Sequence, residues 1–221
     1  KSDNTPVTNG DIEVNNILTK KIFTLTPEIP IISEETSSNK KNENLNNFWL
    51  IDPIDGTSSY INNKDEFTIN AALIINKKPV LGVINAPDKK RLFYSYAPSN
   101  SFEIVNNHEI NLINQKKKNI NFITAVSYSN ELKPDILKLH KEFKVNKYQK
   151  MKSSLKFCVI AAGEFDLYIA EPRAYEWDIA AGHAILEHAG GTLKDFNGNE
   201  IEYGKADFKN PSLVLRGKHI S

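Results

Sequence analysis

The chain of 221 residues holds one cysteine, Cys158. A single cysteine permits no disulfide within the chain and no cysteine metal site. Its surroundings, Leu155-Lys156-Phe157-Cys158-Val159-Ile160-Ala161-Ala162, form an apolar, helix-like run that predicts a buried small hydrophobe rather than a nucleophile. That usage fits a reducing compartment. Net charge is only +1, so no excess of either sign calls for nucleic acid or anionic lipid. No apolar run approaches the roughly 18 residues of a membrane span, and no signal-peptide pattern is present. The histidines are His108, His140, His183, His188 and His219. His183 and His188 do not share the i, i+4 face of a helical zinc site, which leaves oxygen atoms as the available metal ligands. No internal repeat is visible. What is there is ordinary for a globular protein, with 40% hydrophobic and 25% charged residues. The length allows one core or two small ones.

The chain is organised around Phe48-Trp49-Leu50-Ile51-Asp52-Pro53-Ile54-Asp55-Gly56-Thr57. Phe48 to Ile51 predicts a short buried strand that breaks at Asp52-Pro53 and again at Asp55-Gly56. Two acids and a hydroxyl then stand at a strand end, where rigid structure holds loop groups in place. Taken alone, these are turn dipeptides. Side by side, the two acids would repel unless a cation lay between them, and a hard divalent cation is the simplest neutraliser.

Before this stretch, Val14, Ile17, Leu18, Ile22 and Leu25 fall at helical spacing. They predict a helix that starts at Asp11 and is closed by Pro27 and Pro30. A strand over 29–32 ends at Ser33-Glu34-Glu35, and residues 36–47 read as a polar surface loop. After Thr57 a polar stretch reaches Glu66. Strands over 67–75, 80–85 and 91–96 have short connections and predict an antiparallel meander. A further hairpin is expected from 102–105 and 109–113. Residues 115–119 carry three lysines and no apolar side chain. They predict a boundary between an N-terminal α+β half over 1–118 and a C-terminal α/β half over 119–221. In the second half, strands over 120–127, 145–151, 165–170, 192–196 and 212–215 alternate with helices over 134–143, 153–162 and 177–189, an α/β layer.

Asp178 opens the last of these helices and, taken alone, reads as an N-cap or a first-turn acid favoured by the helix dipole. Ala180-Ala181-Gly182 after it allows close approach of another backbone or a ligand. Ser153-Ser154-Leu155-Lys156 sits at a helix start and offers hydroxyls, free N–H groups and an ammonium to an anion, or simply a serine cap. Together these features describe acids for metals and a helix terminus for a phosphate.

Ser33-Glu34-Glu35, Trp49-Leu50-Ile51-Asp52-Pro53-Ile54-Asp55-Gly56-Thr57 and Trp177-Asp178-Ile179-Ala180-Ala181-Gly182 closely resemble the three signature motifs of the inositol monophosphatase superfamily. Pro6-Val7-Thr8 with Asp11, Leu25-Thr26-Pro27, Glu66-Phe67-Thr68-Ile69-Asn70 and Ser153-Ser154-Leu155-Lys156-Phe157-Cys158 resemble its bacterial 3′(2′),5′-bisphosphate nucleotidase branch. The resemblance implies a layered α-β-α-β-α fold with the site between its two halves. It implies that Glu34, Asp52, Asp55, Asp178 and the Ile54 carbonyl bind metal, with Glu35 one layer behind. Asp11 and Thr57 would deprotonate the attacking water. Glu34, Ile54, Asp55, Gly56, Thr57 and Asp178 would border the substrate phosphate, and Ser153, Ser154 and Lys156 the nucleotide's other phosphate and sugar.

The implied cofactor is Mg2+, about two or three ions, with Mn2+ as a substitute and Li+ as an inhibitor. The implied reaction is hydrolysis of the 3′-phosphate of adenosine 3′,5′-bisphosphate to AMP and phosphate. Inositol or sugar phosphatase activity is the alternative, and a catalytically inactive phosphate-binding protein a further one. The expected partner is a small nucleotide and not nucleic acid. The expected location is cytoplasmic, with contact at the inner membrane face and the oligomeric state left open. The superfamily carries a further helix before Pro6-Val7-Thr8, so a sequence that begins at Lys1 is expected to be part of a longer chain.

Overall fold

Strand β2 (Phe48–Asp55) is buried on both faces. Trp49 and Ile51 pack with Ile22 of helix α1 (Asn9–Leu25), while Phe48 and Leu50 face the main core. A continuous apolar run suits a strand that serves two layers at once. The Trp49 indole donates to Thr26 Oγ1 at 3.0 Å and ties the end of α1 to the strand. The structure, a computed structural model, describes residues 7–37, 45–116 and 122–220.

Strand β1 (Ile31–Ser33) runs parallel to β2. Strands β3 (Thr68–Ile75), β4 (Lys78–Ala86), β5 (Arg91–Tyr96), β6 (Ser101–Val105) and β7 (His108–Asn111) follow antiparallel in sequence order, as the meander expectation requires. Asn76-Lys77 and Asn106-Asn107 each take positive φ at both positions, the conformation of a tight hairpin turn that matches strand twist. The second sheet runs β11 (Thr192–Lys194), β12 (Leu213–Arg216), β10 (Leu167–Ala170), β8 (Ile123–Ser127), β9 (Val145–Lys150), with β8, β9 and β10 parallel. Ile136 and Leu139 of α3 (Pro134–Glu142) cover its outer face against Leu167, Ile169 and Val214.

Helices α4 (Leu155–Ala161) and α5 (Glu176–His188) lie between the sheets. Every residue of α4 is buried, as an interior helix demands. The layers therefore run α1, seven-stranded sheet, α4 with α5, five-stranded sheet, α3, the α/β architecture expected. The small residues of Ala180-Ala181-Gly182 set how closely α5 can pack. A Cβ on Gly82 of β4 would fall 2.2 Å from the Ala181 carbonyl oxygen, and one on Gly182 would fall 2.4 Å from the Phe157 ring.

Several expectations need correction. The β2 strand does not break at Asp52-Pro53 but runs on to Asp55. Asp52 pairs with Asn70 and Asp55 with Thr68, so β2 bulges by one residue there. Pro53 sits in that bulge and past the end of β1, where its missing N–H falls on an already interrupted ladder. Helix α1 starts at Asn9 with Thr8 as its N-cap, and Asp11 is its third residue. The polar stretch after Thr57 holds a short helix, α2 (Thr57–Ile61), entered through Gly56 at φ 92°. Helix α4 begins two residues later than expected because Ser153 takes φ 57°. The division at 118 and 119, the start of the strand expected at 120, most of the 36–47 loop and Pro6 lie outside the described residues.

Candidate active site

Strand register assembles the acids. Ser33 pairs with Ile51 across β1 and β2, so the next residues, Glu34 and Asp52, emerge side by side. The Glu34 N–H donates to the Ile51 carbonyl at 3.0 Å, and the two side chains are hydrogen-bonded. The bulge lets Asp52 and Asp55 approach the same point, and α5 brings Asp178 in from the other side. Carboxylate oxygens of Asp52, Asp55 and Asp178 lie within 4.8 Å of one another. Asp178 is held by the Tyr175 N–H at 2.7 Å.

This crowding is electrostatically unfavourable as it stands. Burial pushes the Asp52 carboxyl well above its usual range, and the charges of Glu34, Asp55 and Asp178 push it further. Burial and then Asp55 do the same to Asp178. Asp52 Oδ1 is buried and accepts no hydrogen bond. Clustered acids with an unsatisfied buried oxygen, and no histidine or cysteine among them, fit a hard divalent cation.

Beside the cluster, the Asp11 carboxylate is fully buried and divided between two tasks. Its Oδ2 accepts from the Thr8 N–H at 2.7 Å and hydroxyl at 2.6 Å, closing the cap of α1. Its Oδ1 lies 3.4 Å from Thr57 Oγ1, which also lies 3.0 Å from the Ile54 carbonyl oxygen. Asp11 therefore serves the helix and faces the site. Gly56, just ahead of Thr57, needs its positive φ, and a Cβ there would fall 2.8 Å from the Glu66 carbonyl oxygen.

A cavity of about 90 Å³ opens from Asp55 and Asp178 past Ser153 and Lys156 to Tyr128 and Arg173. Lys156 is buried, and burial pushes its ammonium down to about 8 against the support of Asp55. It donates to the Ser153 carbonyl and sits over the Tyr168 ring at 5.3 Å. Arg173 stacks on Tyr128 at 3.3 Å. A wider groove of about 400 Å³ continues from Tyr128 and Arg173 along Ser127, Leu132 and Ile136.

The structure thus brings Glu34, Asp52, Asp55, Ile54, Thr57, Asp11 and Asp178 to one place, with Ser153, Ser154 and Lys156 on its flank. Glu35 follows at the β1 turn, its N–H bonded to Ser33 Oγ at 3.3 Å. Sequence reasoning missed Tyr128 and Arg173, and it quoted Asn70 only as the end of a motif, with no role. A signal existed for one of them: of 28 basic residues only three are arginines, and Arg173 falls just before the Trp177-Asp178 motif. Cys158 is fully buried with its thiol pushed far up by burial, as an inert side chain should be.

Residues 1–219 match the inositol monophosphatase family. The Buchnera aphidicola (subspecies Acyrthosiphon pisum) protein named 3′(2′),5′-bisphosphate nucleotidase CysQ is 39% identical over 210 residues, spanning 92% of this chain and 76% of the relative. The Escherichia coli K12 protein of the same name is 34% identical over 216 residues, spanning 96% and 86%. The crystal structure of CysQ from Bacteroides thetaiotaomicron, a bacterial member of that family, matches with TM-score 0.75 at 28% identity, covering 99% of this chain and 87% of that one.

Proposed function

The chain belongs to the inositol monophosphatase family, and from that premise we propose that it is a 3′(2′),5′-bisphosphate nucleotidase, hydrolysing the 3′-phosphate of adenosine 3′,5′-bisphosphate to AMP and phosphate. Relatives of that name at 34% and 39% identity over most of the chain support this reading over an inositol or sugar phosphatase. The observation that carries the chemistry is the convergence of Asp52, Asp55 and Asp178 oxygens within 4.8 Å.

In this reading Glu34, Asp52, Asp55, Asp178 and the Ile54 carbonyl hold Mg2+, for which Mn2+ can substitute, and Glu35 supports them from behind. When bound, the cations neutralise phosphoryl oxygens and acidify water. Asp11 receives the water's proton through Thr57, whose hydroxyl already faces Asp11 Oδ1. The helix cap on Oδ2 fixes that carboxylate in one orientation. Gly56 and Thr57 border the reacting phosphate. Lys156, Ser153 and Arg173 line the cavity where a second phosphate would sit, and the groove beyond Tyr128 leaves room for the nucleoside. Among the described residues no helix is long and apolar enough to cross a membrane. The working compartment in this reading is the cytoplasm, with which a single buried thiol, Cys158, is compatible.

The test is phosphate release with Mg2+, with and without Li+, from adenosine 3′,5′-bisphosphate, inositol 1-phosphate and fructose 1,6-bisphosphate. A strong preference for the first, blocked by Li+, is expected. Preference for either other substrate would keep the mechanism and overturn the substrate. No release from any by the full-length protein would overturn the enzyme.

A further inference from the structure

Ser154 occupies the N-cap position of α4, yet its side chain makes no capping bond to that helix. It turns into the acid cluster instead. Its Oγ lies 2.5 Å from Asp55 Oδ2 and 2.7 Å from the Asp178 carbonyl oxygen, and the Asn70 amide donates to it at 2.8 Å. Ser154 is 2% exposed and Asn70 1%. A serine hydroxyl has one proton to give. The Asn70 amide takes the acceptor side, which directs that proton at Asp55 and at the start of α5. A single oxygen atom therefore joins β2, β3, α4 and α5 at two of the three clustered carboxylate residues.

The surrounding backbone is shaped for this. Ser153 holds φ 57°, a left-handed conformation that a residue with a Cβ adopts at a cost. The Lys156 ammonium bonded to its carbonyl holds it there. The turn rotates the Ser154 hydroxyl off the helix and onto Asp55. Asn70 is placed just as firmly, because strand register sets it opposite Asp52. A phosphate oxygen reaching for the Ser154 proton would have to displace Asp55 and the Asp178 carbonyl, the two acceptors that already share it.

We propose that Ser154, aimed by Asn70, is a positioning residue for the metal-binding carboxylates and not a contact to the nucleotide. This departs from the substrate-binding role expected for Ser154 and rests on the reading that Asp52, Asp55 and Asp178 hold divalent cations. Groups that hydrogen-bond a ligating carboxylate typically govern metal affinity about tenfold to hundredfold.

The experiment titrates metal-free wild type, Ser154→Ala, Asn70→Ala and the double variant with Mn2+, reading free Mn2+ by electron paramagnetic resonance without substrate. Ser154→Ala should bind Mn2+ about tenfold more weakly. Asn70→Ala should shift the same way, and the double variant should be no worse than Ser154→Ala, because Asn70 acts through the hydroxyl. At saturating Mn2+ the KM for adenosine 3′,5′-bisphosphate should stay at the wild-type value. Unchanged Mn2+ affinity with a raised KM would overturn the proposal and return Ser154 to the substrate. Losses that add in the double variant would overturn the part given to Asn70. If Ser154→Ala does not fold, Asn70→Ala carries the test alone, and wild-type Mn2+ affinity in it sinks the idea. A wild type that binds no Mn2+ would remove the metal reading itself, an outcome distinct from unchanged variants of a wild type that does bind.

Discussion

Thr57 stands between two acceptors with one proton. Its Oγ1 is 3.0 Å from the Ile54 carbonyl and 3.4 Å from Asp11 Oδ1. Catalytic hydrogen bonds are often long before substrate arrives, so the Asp11 contact suits a proton path that tightens on binding. Thr57→Ala should lower kcat by about a hundredfold to ten-thousandfold while Mn2+ binding is unchanged. If metal binding is lost instead, Thr57 acts by orienting Ile54. Asp55→Asn should abolish turnover with the fold intact. It removes one of several mutually repelling acids, so its metal-free melting temperature should not fall below wild type. Lys156 gives a pH dependence of definite sign. With its ammonium pushed down to about 8 by burial, it is mostly charged at neutral pH and mostly neutral well above that value. The KM for the anionic substrate should therefore rise as pH passes through about 8, and Lys156→Met should show a high KM with no such rise. A KM-against-pH profile for both proteins decides it.

At the scale of elements, the seating of α5 on the seven-stranded sheet matters most, because α5 carries Asp178 into the cluster. Gly82 permits that seating: a Cβ there would meet the Ala181 carbonyl oxygen at 2.2 Å, and neither backbone can yield cheaply. Gly82→Ala should cost about 1–3 kcal/mol, read from the urea midpoint, and weaken Mn2+ binding by moving Asp178. No change in either would mean that α5 is not held by this contact. Much of this layer was legible in the sequence. The apolar run of β2, the turn pairs of the meander and the small residues after Asp178 each carry a local signal. Pro53 misled because its tolerance depends on a bulge made with β3, a partner outside any local window. Ser154 was legible as a helix cap but not as an aimed hydroxyl, since the direction comes from the φ of Ser153 and from Asn70 on another strand. Arg173 lies on an irregular loop before α5 and gains its place only where that loop meets Tyr128 at the end of β8.

For the whole molecule, the cluster is a joint between layers. Asp52 and Asp55 come from the seven-stranded sheet and Asp178 from the interior helix. On the proposed reading, cations held at that joint would bind the folded chain and not the unfolded one, and so would stabilise it by mass action. At about a hundred times the dissociation constant the gain is about 2.7 kcal/mol. Thermal melts with Mg2+ and with chelator should differ accordingly, and Asp55→Asn should lose most of that difference. An identical metal response in Asp55→Asn would place the ions elsewhere. A second tie crosses the same layers, where Arg91 of β5 joins Glu103 at 2.5 Å and Glu164, beyond α4, at 2.6 Å. The distance along the chain between the partners in the cluster has a consequence for biosynthesis. A growing polypeptide has released Asp52 and Asp55 long before the ribosome has translated Asp178. Until that helix emerges and docks, the nascent chain has no three-acid cluster to offer a cation, and a copy stopped short of Asp178 lacks one of the three acids altogether.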